Sequence, residues 1–133
     1  MQEFRERLKA LRNGLLRLHK SLLDSERATY ERDVARITST GQYLGLVLDD
    51  PFFQPLRELS QFIVVIDEAL DRKESPVTER EAEQLVKQAR LMLLPAEEGS
   101  GFARRYFEIM QRDPATVLAH RDMLQVMGGV EAP

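Results

Sequence analysis

Apolar residues recur along this chain in steps of three and four, the spacing that gathers side chains on one face of an α-helix. Phe4, Leu8, Leu11, Leu15, Leu18 and Leu22 form a first stripe. Tyr30, Val34, Ile37, Gly41, Leu44 and Leu48 continue the same steps, displaced around the cylinder. A third row, Leu16, Leu23, Tyr30, Ile37 and Leu44, bridges the two halves at intervals of seven. Together the rows predict one long helix from about Gln2 to about Leu48. Its weak points are Gly14 and the segment Thr38–Gly41, where the chain could break.

Asp49-Asp50-Pro51 ends that helix, with Asp50 suited to an N-cap and Pro51 to a first helical position. Pro55 moves the start of the second helix to about Gln54, after a short turn at Pro51–Phe53. Leu56, Leu59, Ile63, Ile66 and Leu70 give this helix an apolar face, and Asp67 sits at its flank, placed to pair with an arginine of helix one. Phe52 and Phe53 read as a plug closing one end of the fold. Beyond Ser75-Pro76, Thr78 and Glu81 have the spacing of a capping box, and Val77 can staple onto Ala82. The third helix turns Ala82, Leu85, Val86, Ala89, Met92 and Leu93 inward, and Pro95 stops it. A fourth runs from about Phe102 to Arg112. Asp113-Pro114 then starts a fifth, which reaches Met127, with Gly128-Gly129 as its C-cap and the last residues a frayed tail.

The expected fold is all-α, an up-and-down bundle of four to five helices with a long N-terminal helix, in one domain over residues 1–133. Lengths bear on assembly. At 1.5 Å per residue helix one would reach about 70 Å, against about 25–30 Å for each of the next two. Part of its leucine stripe would then lack cover, which a monomer avoids. A homodimer through the N-terminal helix is therefore expected, unless the helix breaks near Thr38–Gly41.

Composition narrows the chemistry. A chain of 133 residues, 43% hydrophobic and 31% charged, is an ordinary globular domain in size and balance. Its net charge of −3 argues against a dedicated nucleic-acid binder. With no cysteine, disulfides, thiolate metal sites and thiol catalysis are excluded. Arginines and lysines interrupt the first fourteen residues, so no secretory signal is read there. No run approaches a membrane span, and a cytoplasmic protein is the expectation. Charge is uneven: Met1–Leu48 carries nine basic and six acidic residues, whereas Asp49–Ser100 carries six basic and twelve acidic.

Phosphate-binding glycine motifs are absent. The nearest feature, Gly99-Ser100-Gly101 followed by Arg104 and Arg105, is opposed by Glu97 and Glu98. Glu-x-x-His pairs of the diiron type are also missing, since Leu16 and Val117 stand three residues before the two histidines. Those histidines, His19 and His120, lie among apolar neighbours at helical spacing and are expected to point inward. Arg5, Arg12, His19, Glu26 and Asp33 form a polar column at steps of seven between two leucine rows. Charges caught there must be paired or hydrated.

Three functional readings follow. In the first, the bundle acts through protein–protein interaction or scaffolding, as a homodimer or with another protein partner. In the alternative, His19 and His120 bind a small molecule or haem, with Arg12 or Arg121 holding its acidic groups. In the third, Arg12, His19, Glu26 and Tyr106 line a pocket for a small acidic molecule, with His19 as general base. No metal site is expected.

Overall fold

The computed structural model describes residues 3–128, whose regular elements are all helices joined by short irregular segments. The helices are α1 (Glu3–Asp33), α2 (Thr40–Asp49), α3 (Gln54–Asp71), α4 (Glu79–Met92), α5 (Gly101–Arg112) and α6 (Pro114–Val126), with a single 3₁₀ turn at Pro51–Phe53 between α2 and α3. The all-α bundle with a long N-terminal helix stands. No helix among the described residues is long and apolar enough to cross a membrane. The C-terminal tail expected to fray begins at Gly128, and all of it beyond that glycine lies outside the described residues.

The expected rod from Gln2 to Leu48 does not form. α1 stops at Asp33 and α2 begins at Thr40, so the break starts ahead of the expected weak segment and overlaps it at Thr38 and Ser39. Hydrogen bonding explains it. The Tyr30 carbonyl accepts from both Val34 N (2.8 Å) and Ala35 N (3.2 Å), and the second, five-residue bond widens the last turn of α1 and ends the regular ladder. The Glu31 carboxylate accepts from Ile37 N at 3.1 Å, turning the chain away. Ser39 then caps the new helix by accepting from Gln42 N at 3.1 Å, while the Gln42 side chain accepts from Thr38 N at 2.8 Å. Local caps supply the donors and acceptors that a continuous helix would have paired, so the apolar spacing across the break carries no helix.

α1 is the axis of the fold. Its 31 residues span about 46 Å at 1.5 Å each. Leu8, Leu11, Leu15, Leu18 and Leu22 are fully buried against α3, α4, α5 and α6. Each such leucine stabilises the fold by roughly 1.5–3 kcal/mol. These leucines are covered within one chain, which removes the reason for placing a second chain on α1. Leu16, assigned to the bridging row, is instead 47% exposed, and Val34, Leu44 and Leu48 of the second stripe also face outward.

α3 and α6 both run antiparallel to α1. Arg12 meets Asp67 and Arg5 donates to the Leu70 carbonyl on the α3 side. Ser21 meets Thr116, and Arg7 donates to the Met127 carbonyl, on the α6 side. Gly14 is buried at the α1–α6 crossing, where an added Cβ would stand 2.5 Å from Met123 Sδ. The glycine therefore keeps the helices close, and α1 passes through it unbroken.

A second, smaller cluster closes one end. Phe53 is fully buried against Tyr30, 5.8 Å between ring centroids, and against Tyr43 at 6.1 Å. Ile37, Leu46 and Val47 complete it. This is the plug read from Phe52 and Phe53. Asp50 caps the turn through Phe52 N (2.9 Å), and the Thr78–Glu81 capping box forms in both directions.

Candidate functional site

The structure disperses the five polar residues singled out in the sequence over three separate places. Arg12 pairs with Asp67 at 3.1 Å, as its flanking position suggested, with both side chains partly in water. His19 shares the face of α1 that turns Arg5 and Arg12 toward α3; burial pushes its pKa down, favouring the neutral ring. His120 reaches the other way, to α5. No hydrogen bond or ring contact joins the two histidines among the described residues.

Glu26 is the one buried charge of the set. It is 1% exposed and faces two guanidinium groups of α5. One carboxylate oxygen accepts from Arg105, the other from Arg112 at 2.6 Å. Arg105 also donates to the Phe52 carbonyl at 2.8 Å and lies over the Phe52 ring, 5.3 Å from its centroid. Every strong acceptor of the carboxylate is thus occupied from within the chain, and the cluster ties α1, α5 and the 3₁₀ turn together. A ligand anion would have to compete with Glu26 for either guanidinium. Arg104, the other cation of the Gly99–Gly101 segment, is taken by Glu108 at 3.0 Å.

Tyr106 and His120 form a third unit. The Tyr106 ring is fully buried, stacked on Phe102 at 5.2 Å, and its hydroxyl is hydrogen-bonded to His120 Nδ1. Burial raises the phenol pKa and lowers that of the imidazole. Both groups are therefore neutral near pH 7, and the hydroxyl and Nδ1 share one hydrogen bond whose direction the imidazole tautomer sets. A neutral pair of this kind braces α5 against α6. Surface clefts of 250–500 Å³ occur elsewhere, and none of them is lined by Arg12, His19, Glu26, Tyr106 or His120. Among the described residues no group of three or more His, Asp or Glu side chains is arranged to hold a metal ion.

Sequence reasoning missed two features. Arg105 and Arg112 are seven apart, hence on one face of α5, and match the acidic position Glu26 on the polar column of α1. That spacing was available as a signal. The other is the outer face of α2. This helix buries no residue. Tyr43, Leu46 and Val47 rest on the aromatic plug, while Leu44 is 55% and Leu48 68% exposed. Leu16, Val34, Val64, Val65, Leu91, Leu94, Val117 and Leu118 are exposed too, but each has a charged residue three or four positions away. Leu44 and Leu48 have none, because Ile37–Leu48 contains no Asp, Glu, Lys, Arg or His.

α2 is nonetheless firmly placed. Arg57 of α3 donates to the Val47 carbonyl (3.0 Å) and the Asp50 carbonyl (2.7 Å), holding the C-terminal end. Arg27 of α1 covers the Tyr43 ring at 4.5 Å. The result is a fixed helix with an uncharged outer face, on which Gly41 and Gly45 stand beside the two leucines. Compared with known proteins, the chain matches no family model, no curated protein and no solved structure.

Proposed function

We propose that this protein works as an interaction or scaffolding module, docking another polypeptide on the outer face of α2. The observation that carries this reading is Leu44 and Leu48, one helical turn apart and more than half exposed, in a helix that buries nothing of its own. Exposed leucines scattered singly among charges are normal on protein surfaces. An adjacent pair with no charged residue three or four positions away lowers solubility without adding to the core, and a partner that covers it removes that penalty. The clamps from Arg57 and Arg27 support the same reading. A helix already held in place loses little conformational freedom when a partner binds.

The test is photocrosslinking in the producing cell, with benzoylphenylalanine at position 48 and, as a control, at the exposed position Glu83 of α4. A discrete adduct to a polypeptide is expected from position 48 and not from position 83. No adduct from position 48, or the same adducts from both, rejects the reading.

A further inference from the structure

We infer that the occupant of the α2 face is a second copy of this chain, an assignment that rests on the reading of α2 as a docking helix. At 100° per residue, Leu44, Leu48, Gly41 and Gly45 fall in that order within an arc of about 100°. The leucines make one flank and the glycines the other. A Cβ added at Gly41 or Gly45 would meet nothing within 4 Å, so the glycine flank is an open trough beside a leucine ridge. A two-fold axis running along the helix sets each ridge into the trough of the other copy. One helix supplies both halves of the fit.

Charge points to the same occupant. Residues near a two-fold axis meet their own images, so any charged side chain there faces a like charge. Ile37–Leu48 is the longest stretch of this chain without an ionisable Asp, Glu, Lys, Arg or His. It is therefore the face on which two copies meet at least electrostatic cost. Asp49 at the end of α2 lies beyond the glycine flank, outside the patch. Area sets the strength. Ten residues of helix are about 15 Å long, well short of the roughly 800 Å² per partner of a stable assembly. Association is accordingly reversible and concentration-dependent.

Sedimentation velocity of the purified full chain over a dilution series tests this. The weight-average mass is expected to rise with concentration from that of one chain toward that of two. The double variant Leu44→Gln/Leu48→Gln weakens dimerisation at least about tenfold. A parent that stays monomeric throughout overturns the inference, as does a double variant that associates as strongly as the parent. The two proposals fail differently. An adduct from position 48 to some other polypeptide, with a monomeric parent, removes the second copy and leaves α2 as a docking helix. No adduct from position 48 removes the docking helix itself.

Discussion

Replacing Glu26 by glutamine keeps the shape of the buried side chain and changes only its hydrogen-bonding capacity. The carboxylate accepts from Arg105 with one oxygen and from Arg112 with the other. An amide offers a single acceptor, and its NH₂ group must face a guanidinium donor with nothing to accept. One charge-assisted hydrogen bond is lost, worth about 1.5–3 kcal/mol, and the second becomes weaker. Breaking a fully buried ion pair costs about 3–5 kcal/mol, but here relief is available. The Arg105 and Arg112 side chains are 23% and 33% exposed and can turn to water once released. The net loss expected for Glu26→Gln is about 2–3 kcal/mol. For a chain of 133 residues that lowers the midpoint of thermal unfolding by roughly 8–10 °C. Urea unfolding at pH 7 measures the free energy directly. Arg105→Ala should cost more than Arg112→Ala, because Arg105 alone also holds the Phe52 carbonyl and ring. A Glu26→Gln variant within 0.5 kcal/mol of the parent would refute the assignment of this cluster as a clasp between α1 and α5.

Two further predictions concern the histidines. Tyr106→Phe removes the hydrogen-bond partner of His120 Nδ1 and should destabilise by about 1–1.5 kcal/mol, read by urea unfolding. In ¹⁵N spectra of the same variant, the His120 Nδ1 resonance should move as its hydrogen bond is lost, while that of His19 stays. His19 and His120 both have pKa values lowered by burial. The unfolded chain therefore takes up protons near pH 6.5 before the folded one does, and stability falls as the pH drops through about 6.5 toward the depressed folded values. The urea midpoint should be lower at pH 5.5 than at pH 7.5, and a His19→Gln/His120→Gln variant should flatten that dependence. Equal slopes in parent and variant would place the proton uptake elsewhere.

The core of the fold was readable because α1 and α3 follow the period of the helix without interruption. Leu8 through Leu22 and Leu56 through Leu70 needed only spacing, and Asp50, Thr78 and Asp113 announced helix starts by their chemistry. The break after Asp33 was harder to see. No proline or glycine marks it, and Tyr30, Val34, Ile37 and Gly41 keep perfect helical steps across it. Its signal was the polar run Thr38-Ser39-Thr40 with Gln42 placed to reach back, a capping arrangement hidden under an apolar row. That error propagated. Treating α2 as the tail of a long rod makes Leu44 and Leu48 look like buried stripe positions and rests the expected dimer on α1 leucines that the chain covers itself. Within the polar column Arg12 meets Asp67 and Glu26 is buried against two arginines, while Asp33 stays at the surface. The column's other partners depended on which helix crosses α1 at Glu26, information that resides in tertiary packing and not in any local run of residues.

The outer leucines of α2 belong to neither core cluster. The most direct test is the urea unfolding free energy of Leu44→Gln/Leu48→Gln, measured in dilute solution beside the parent. Glutamine matches leucine closely in helix propensity, so the change is expected to stay within about 0.5 kcal/mol. A loss of 2 kcal/mol or more, the range of buried leucines, would mean that these side chains hold the fold together and would contradict the account.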